Sequence, residues 1–368
     1  MSVDLPDSYE SIYQRAMVQM AAGNTFEAIE SLQRIINRLG RLRPDTLKRK
    51  AGLQDTLDAA SEAAFEFLRW ERQYDEAISA GESVLDRLSD PDMMRRRIAS
   101  LIIEKGEVEE GLSRMREIAE SKEDFESWAD LGAEYRVLKR YDQAEQCYQS
   151  ALRQAKSNQD AAVANLALFS VYQQAGRVGD ALDAWDMSVV LDPELADGVF
   201  QCYDWLIRRG DLDLARKYLD RERRPIRRGF YEGLYDWQKG NEDAARRTWQ
   251  SILETDSEIE DADLTAWVEA ALRLGEPARA DDRLTKLASS DRAIPAGIIT
   301  LHGIAKLMLG EVREATERFE LVIARLRRAW PSRFKIPADR WSLLTSLVLD
   351  RECQESVKGY FDTGESKD

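Results

Sequence analysis

Apolar residues recur along the chain at the spacing of a packed helix face. Each of nine copies of the pattern contains a small residue, and in eight of them a large apolar residue follows four positions later. Because residues four apart share one face of an α-helix, each copy predicts a helix whose small and large residues pack together. The small residues are Ala28, Ala77, Gly111, Ala144, Ala181, Ala215, Ala245, Ala280 and Ala315, and the large ones are Leu32, Met115, Tyr148, Trp185, Leu219, Trp249, Leu284 and Phe319.

The spacing of the small residues indicates a repeat. Successive intervals are 49, 34, 33, 37, 34, 30, 35 and 35 residues, so seven of the eight lie close to 34. A period of this length is typical of stacked helical hairpins and not of a single globular enzyme domain. No alternating apolar run is long enough to predict a sheet.

A glycine or a basic residue stands five positions before each small residue. Glycine adopts the left-handed backbone conformation at little cost, so it predicts the end of the first helix of each hairpin. Polar residues such as Asp211, Asn241 and Glu311 follow at once and suit the start of the second helix. The predicted turn residues are Gly23, Arg72, Gly106, Lys139, Gly176, Gly210, Gly240, Gly275 and Gly310.

The fourth copy, from Phe125 to about Lys156, resembles a tetratricopeptide repeat, and looser copies keep its register over roughly residues 9–328. The resemblance implies an all-α fold: an α-solenoid of about nine tetratricopeptide-like hairpins stacked in a right-handed superhelix. The positions that carry it are Trp128, Leu131, Gly132 and Tyr135 in the first helix and Ala144, Tyr148 and Ala151 in the second.

On this resemblance, residues 1–328 form the solenoid. We interpret the one long interval, between Ala28 and Ala77, as longer helices and a longer connection instead of a missed repeat. Residues 329–362 are expected to form C-terminal capping helices, because an uncapped end would leave an apolar face wet, and 363–368 a disordered tail. The hairpins are expected near 9–43, 58–91, 92–124, 125–158, 162–195, 196–225, 226–260, 261–295 and 296–328.

The composition narrows the choice of partners and compartment. Lys plus Arg number 53 and Asp plus Glu 68, which gives a net charge of −15 and disfavours nucleic acid and anionic membranes as partners. We expect no secretory signal, since the first twenty residues carry neither a basic nor an apolar segment, and no membrane insertion. The three cysteines are too far apart for a zinc or disulfide pattern, so we expect a cytoplasmic protein.

Candidate catalytic chemistry is sparse. The one histidine, His302, falls on a packing position of the last repeat, and its sequence neighbours offer no acid, base or nucleophile. The glycines do not form a phosphate-binding loop, because no strand precedes them and no Gly-Lys-Ser/Thr follows. We therefore predict no enzyme activity, no catalytic residues, no cofactor and no metal.

Arginines cluster between the sixth and seventh repeats, where they could form a patch for an anion or an acidic partner. A second cluster, Arg325–Arg328, closes the last repeat. The alternative is that arginines near helix ends favour the helix dipole and stay solvated. The candidate patch residues are Arg223, Arg224, Arg227 and Arg228.

The resemblance also implies where a partner binds, since in this family the inner, concave wall is lined by first-helix residues. Aromatic residues and arginine dominate interface energetics, although Phe200, Phe230 and Trp237 could instead pack between repeats. No copy has the Lys and Asn pair with which family members clamp acidic chaperone tails. The groove candidates are Tyr13, Glu62, Glu66, Arg69, Trp70, Arg96, Arg136, Gln173, Phe200, Asp204, Phe230, Trp237, Glu269 and Arg273.

Three functions are compatible with these features. The first is a non-enzymatic scaffold or adaptor that binds a peptide or helical segment of a partner protein during complex assembly or regulation. The second is a regulator gated by a peptide or an anionic small molecule in the groove. The third is an RNA-contacting helical repeat that uses the arginine clusters. The sequence is also compatible with self-association of the chain through the ends of the solenoid.

Overall fold

Local capping residues explain where the helices begin. The computed structural model describes residues 8–49, 52–192, 199–255, 259–288 and 294–329, and every regular element in them is helical. At one helix start the Asp90 carboxylate accepts hydrogen bonds from the backbone N–H groups of Asp92 and Met93. At another, Ser157 and Asp160 form a reciprocal capping box. Such side chains satisfy backbone donors that a helix start leaves without partners.

Helical hairpins follow one another through two compact units, Met1–Pro193 and Glu194–Asp368. The first unit contains five hairpins, with one short extra helix between the first and the second. Its helices are α1 (Tyr9–Ala21), α2 (Thr25–Leu39), α3 (Pro44–Arg49), α4 (Leu53–Trp70), α5 (Tyr74–Val84), α6 (Pro91–Lys105), α7 (Val108–Lys122), α8 (Phe125–Val137), α9 (Tyr141–Gln154), α10 (Asn158–Ala175) and α11 (Val178–Leu191), with a 3-10 turn at Leu85–Arg87.

The second unit contributes four hairpins among its described residues. Its helices are α12 (Val199–Arg209), α13 (Leu212–Leu219), α14 (Pro225–Gln238), α15 (Glu242–Leu253), α16 (Asp261–Leu274), α17 (Pro277–Ala288), α18 (Ala296–Met308) and α19 (Val312–Ala329).

The predicted all-α solenoid of about nine hairpins is confirmed by this order of elements in the described part of the chain. Within each unit the first helices of successive hairpins lie against one another, as α6 does with α8 and α14 with α16. The long interval after Ala28 contains the additional helix α3 and the 18-residue helix α4. The predicted capping helices lie outside the described residues except for Ala329, and the predicted tail lies outside them entirely.

The turn inside every hairpin has the backbone conformation that the sequence pattern predicts. All seven predicted turn glycines have positive φ, between 76° at Gly176 and 112° at Gly106. Arg72 and Lys139 adopt it as well, with φ of 57° and 59°, although a Cβ makes that region costly. The position in the repeat therefore determines the left-handed backbone conformation even where the residue, Arg72 or Lys139, does not favour it.

Small residues form the seam between the two helices of each hairpin. The eight alanines of the repeat pattern are fully buried. At Gly111, a Cβ would lie 2.5 Å from the Ala99 carbonyl oxygen, so no larger residue fits. A second small position faces the large aromatic of the same hairpin: a Cβ at Gly233 would lie 2.2 Å from Trp249 Nε1. Side-chain size at these positions thus sets how closely the helices approach.

Candidate functional site

The predicted groove residues of the first unit bond to one another across neighbouring repeats. Arg69 Nε donates to Glu104 Oε2 at 2.7 Å, and Arg96 Nε donates to Asp130 Oδ2 at 2.8 Å. These partners are 35 and 34 residues apart in sequence, which is one repeat period. These ion pairs link the second hairpin to the third and the third to the fourth, and we call them the charged ladder.

The same ladder includes the two predicted glutamates of α4. Arg97 of α6 donates to Glu62 at 2.5 Å and to Glu66 at 3.4 Å. Arg69 also contacts Glu66 at 3.3 Å. The structure thus brings Glu62, Glu66 and Arg69 together, with their polar groups already paired. Arg97 was not among the sequence candidates, although its place one period after the glutamates is a signal that could have identified it.

The remaining candidates of the first unit are half-buried and separate. Tyr13 packs against the hydrophobic core, and burial raises the pKa of its hydroxyl. The Trp70 ring lies 5.2 Å from that of Phe67. Arg136 bonds to the buried Tyr148, and Gln173 lies near the end of α10. None of these four residues forms a hydrogen bond or ion pair with the charged ladder in the described part of the chain.

Four charged side chains converge on the corresponding face of the second unit, from the first helices α12 and α16. Arg208 Nε contacts both carboxylate oxygens of Asp204 at 3.0 Å. Glu269 and Arg273 lie deeper, with exposed fractions of 4% and 7%. Burial is the main influence on the Arg273 guanidinium, whose pKa it lowers, while Glu269 acts in the opposite direction. We call these four residues the charged cluster.

The charged cluster leaves hydrogen-bond donors unsatisfied. Nε, Nη1 and Nη2 of Arg273 are buried and have no hydrogen-bond partner among the residues that the structure describes. Arg208 Nη1 is in the same state, although its Nε is paired with Asp204. Buried polar groups in folded proteins are nearly always hydrogen-bonded, so these donors distinguish Arg273 and Arg208 from Arg69, Arg96 and Arg97 of the first unit, which bond to carboxylates. In the first unit, Trp70 Nε1 is also buried without a hydrogen-bond partner among the described residues.

Aromatic rings surround the Arg273 guanidinium. Its Cζ lies 5.9 Å from the ring centre of Phe230 and 5.6 Å from that of Trp249. Trp237 stacks on Trp249 with ring centres 5.7 Å apart. Phe230 is buried and packs between helices, as the alternative interpretation allowed, whereas Trp237 is half-exposed. The side chain of Phe200 lies outside the described residues.

The arginine cluster between the sixth and seventh repeats is not an open basic patch. Arg227 is buried, and its Nη2 lies 2.7 Å from Glu222 Oε2. The Tyr203 hydroxyl donates to the same oxygen at 2.7 Å. Arg227 is therefore neither exposed nor solvated, and the carboxylate that neutralises it comes from Glu222 in the preceding turn.

The other patch residues lie nearer the surface. Arg224 donates to Glu260 at 2.7 Å, and Arg228 donates to Glu232 at 3.1 Å. Arg223 is exposed. The side chains of the second cluster, Arg325–Arg328, lie outside those described. Carboxylates one turn or one repeat away thus reduce the charge that Arg224 and Arg228 present to a ligand.

His302 is buried as its position in the repeat predicts, but it has an acidic neighbour that the local sequence did not reveal. Its Nε2 lies 2.9 Å from Asp281 Oδ1 of α17 and 3.4 Å from the Thr285 hydroxyl. Burial is the largest influence and lowers the pKa of the imidazole. Both contacts involve the same ring nitrogen, whereas a general-base histidine uses one nitrogen for the acid and the other for the nucleophile.

Cysteine and metal chemistry add no further site in the described chain. Cys147 and Cys202 are buried, and burial raises the pKa of the Cys147 thiol to about 12, which leaves it protonated and unreactive. No group of three potential metal ligands occurs among the described residues. None of the described helices combines the length and the apolar character needed to cross a membrane.

Comparisons with known proteins point to one repeat family. The family model described as "Tetratricopeptide repeat" matches residues 10–38, which contain the first hairpin α1–α2. No curated protein matches the chain. The match lies outside the copy at Phe125–Lys156, where the sequence resembles the repeat most strongly.

Two solved structures are similar to the chain at low identity. A tetratricopeptide repeat protein from Parabacteroides merdae shares 15% identity with a TM-score of 0.39, and the alignment covers 74% of this chain and 98% of that one. The human IFIT1 dimer with PPP-AAAA shares 13% identity with a TM-score of 0.37, covering 88% of this chain and 73% of that one. The family model thus matches a tetratricopeptide repeat at residues 10–38, and the nine hairpins of the described chain share the left-handed turn of that first hairpin.

Proposed function

We propose that the chain is a non-enzymatic scaffold that binds a peptide or helical segment of a partner protein on the first-helix face of its second unit. We call this surface, formed by α12, α14 and α16, the second-unit face. The observation that carries the proposal is the set of buried donors on Arg273, whose guanidinium lies over Trp249, the ring on which the half-exposed Trp237 stacks. Arginine and tryptophan next to each other are typical of interface hot spots.

The contrast between the two units supports this choice of face. Arg69, Arg96 and Arg97 of the first unit are each bonded to carboxylates of a neighbouring repeat. These ion pairs explain why the three positions carry a charge, and no binding partner is needed to explain it. The guanidinium nitrogens of Arg273, in contrast, form no hydrogen bond with any described residue. Contact with RNA through the arginine cluster has less support, because Arg224, Arg227 and Arg228 have carboxylate partners.

Selection of peptides tests the proposal directly. The full-length chain is immobilised and exposed to a displayed library of random dodecapeptides, and recovered peptides are measured by fluorescence anisotropy. We expect binders whose affinity falls roughly tenfold or more with Trp237→Ala, because exposed aromatic anchors dominate such interfaces. The matched control is Trp70→Ala, a half-buried tryptophan of the first unit, for which we expect less than a twofold change.

Two results would contradict the proposal. A library that yields no binders above the level of an unrelated helical protein would remove its basis. Binders that lose affinity with Trp70→Ala and keep it with Trp237→Ala would move the site to the first unit. Circular dichroism of both variants accompanies the measurement, so that a loss of binding is compared between chains of equal helix content.

A further inference from the structure

We infer that the solvent-exposed side of α2 binds a single strand of nucleic acid, through the phosphates of its backbone and through a base stacked on an aromatic ring. This surface belongs to the second helix of the first hairpin, so the inference goes beyond the function proposed for the second-unit face. We call the surface the basic face, and its residues are Phe26, Gln33, Arg34, Asn37, Arg38 and Arg41.

The charge of this part of the chain is opposite to that of the whole. Residues 34–50 contain seven Lys or Arg and one acidic residue, which is a net charge of +6 in a chain whose total is −15. Salt screens exposed charges beyond about 10 Å, so the local charge governs what binds at contact distance. The average charge disfavours a polyanion, whereas the charge near the end of α2 attracts one.

The arginines at the end of α2 carry charge that the described chain does not neutralise. Arg38, Arg41 and Arg43 are exposed and form no ion pair with any described residue, in contrast to the cluster between the sixth and seventh repeats. Arg34 contacts Glu30 at 3.4 Å, but both side chains are more than half exposed, so water weakens the pair and a ligand can replace it. The α2 dipole supplies only about half a negative charge at this end, which is less than these arginines carry.

The arginines share a groove with two amide side chains. A guanidinium presents a planar fork of donors that matches phosphate oxygens, and the amides of Gln33 and Asn37 donate to phosphate or sugar oxygens. Arg87 Nη1 donates to the Leu42 carbonyl at 3.2 Å and so holds the loop that carries Arg41. The groove has a volume of about 310 Å³ and is lined by Glu30, Gln33, Arg34, Asn37, Arg38 and Arg41.

An exposed aromatic ring stands in line with this groove. Phe26 is 77% exposed, although phenylalanine is usually buried. With 3.6 residues per turn, Phe26 lies on the same side of α2 as Gln33 and Asn37, and Asn37 is roughly 16 Å farther along the axis. Single strands bind to such arrangements because an unpaired base stacks on the ring while the backbone follows the positive charges. In a duplex the bases already stack on one another, and Phe26 would have no role.

A membrane surface and an acidic protein segment fit these features less well. The apolar side chains Ile29, Leu32 and Ile35 of α2 are buried, so the helix has no apolar face that could enter lipid. An acidic segment would satisfy the arginines but brings no base for the exposed ring of Phe26. Every nucleotide of a single strand supplies both a phosphate and a base.

The experiment measures binding of the full-length chain to labelled single-stranded dodecanucleotides, one of uridylate and one of thymidylate, by fluorescence anisotropy. Salt is varied from about 50 to 200 mM, and we expect the affinity to fall steeply because phosphate contacts release counterions. Binding of either strand supports the inference, and tighter binding of the uridylate strand would indicate a contact with the 2′-hydroxyl groups.

Two variants separate the charges from the ring. The double substitution Arg38→Gln with Arg41→Gln should lower the affinity about tenfold or more at low salt. It should also reduce the slope of log affinity against log salt by about 1.4, which is about 0.7 for each lost phosphate contact. Phe26→Ala should lower the affinity about fivefold or more and leave the slope unchanged, because it removes stacking and no charge.

The matched control removes the same charge from another second helix. Arg246 and Arg247 are exposed on α15 in the second unit. The double substitution Arg246→Gln with Arg247→Gln should change the affinity less than twofold and keep the salt slope. Circular dichroism should show equal helix content in every variant, because all the substituted side chains are exposed.

Several results would overturn the inference. The first is no binding of either strand, and the second is an equal loss of affinity from the two arginine pairs, which would mean attraction to no particular surface. Polyglutamate or vesicles containing phosphatidylserine that bind as tightly as the strands would assign the basic face to another class of partner. A duplex that binds more tightly, with no effect of Phe26→Ala, would exclude the single strand. Peptide binding by the second-unit face is measured separately, so either proposal can fail while the other holds.

Discussion

Single residues with strained backbone conformations mark the turns of two hairpins. Lys139 has φ of 59° where most copies carry glycine, and the residue is exposed. Because a Cβ in the left-handed region costs about 1–2 kcal/mol, Lys139→Gly should stabilise the chain by roughly 0.5–1 kcal/mol once the flexibility that glycine adds to the unfolded state is subtracted. Urea unfolding measures the change.

The control for that prediction is the same substitution inside a helix. Lys217 is exposed within α13, so Lys217→Gly should destabilise the chain by about 1 kcal/mol. Destabilisation by Lys139→Gly as well would mean that this lysine contributes through its side chain and that backbone strain is not the controlling term.

His302 predicts a pH dependence of stability at the same scale. Its pKa is lowered mainly by burial, with Arg318 and Lys306 acting in the same direction and Asp281 against them. The unfolded chain then binds more protons than the folded chain below about pH 6.5, so His302 contributes stability above that pH and loses it as the pH falls.

Urea unfolding at pH 7.5 and pH 5.5 tests this sign. The natural chain should lose more of its free energy of unfolding across the interval than His302→Gln, which keeps a polar group beside Asp281 but does not titrate. A larger loss in the variant, or equal losses in both chains, would contradict the assignment.

At the scale of elements, one buried ion pair joins α13 to α14. The Glu222 carboxylate accepts from Arg227, from the Tyr203 hydroxyl and from the Arg224 backbone N–H at 2.8 Å. Glu222→Gln would direct an amide N–H₂ at these donors and leave Arg227 less compensated. We expect a loss of about 3 kcal/mol in the free energy of unfolding, measured in urea.

Glu232→Gln is the matched control for that junction, since Glu232 pairs with Arg228 at 3.1 Å nearer the surface. Its cost should stay below about 1 kcal/mol because water screens an exposed pair. If the two substitutions cost the same, burial would not be what makes the Glu222 pair matter.

The hairpin elements could be predicted from the sequence because their determinants are local. A left-handed turn favours glycine, and a close approach of two helices requires a small residue. The residue types of Gly240 and Ala245 therefore predict the turn and the helix contact of their hairpin. The surroundings of Arg227 and Arg273 could not be predicted in this way. They include residues of other helices, such as Tyr203 near Arg227 and Phe230 and Trp249 around Arg273, and only the packed structure brings these residues together.

At the scale of the whole molecule, the division into two compact units predicts how far a local defect spreads. In a repeat protein each hairpin is stabilised mainly by its neighbours, so a packing error should loosen the surrounding hairpins first. Gly233→Ala would place a Cβ 2.2 Å from Trp249 Nε1, an atom fixed by its hydrogen bond to the Phe230 carbonyl at 3.0 Å. Overpacking of this kind costs about 1–3 kcal/mol.

Hydrogen exchange followed by mass spectrometry locates that cost along the chain. With Gly233→Ala, exchange should accelerate in α14, α15 and the helices next to them in the second unit, while α6 to α9 keep their protection. The matched variant is Gly132→Ala, whose Cβ would meet the Tyr148 ring at 3.0 Å, and it should loosen the first unit instead, by a smaller factor. Equal acceleration in both units by either variant would mean that the chain unfolds as one cooperative block. A confined response would instead allow the second-unit face to be altered while the first unit keeps its stability.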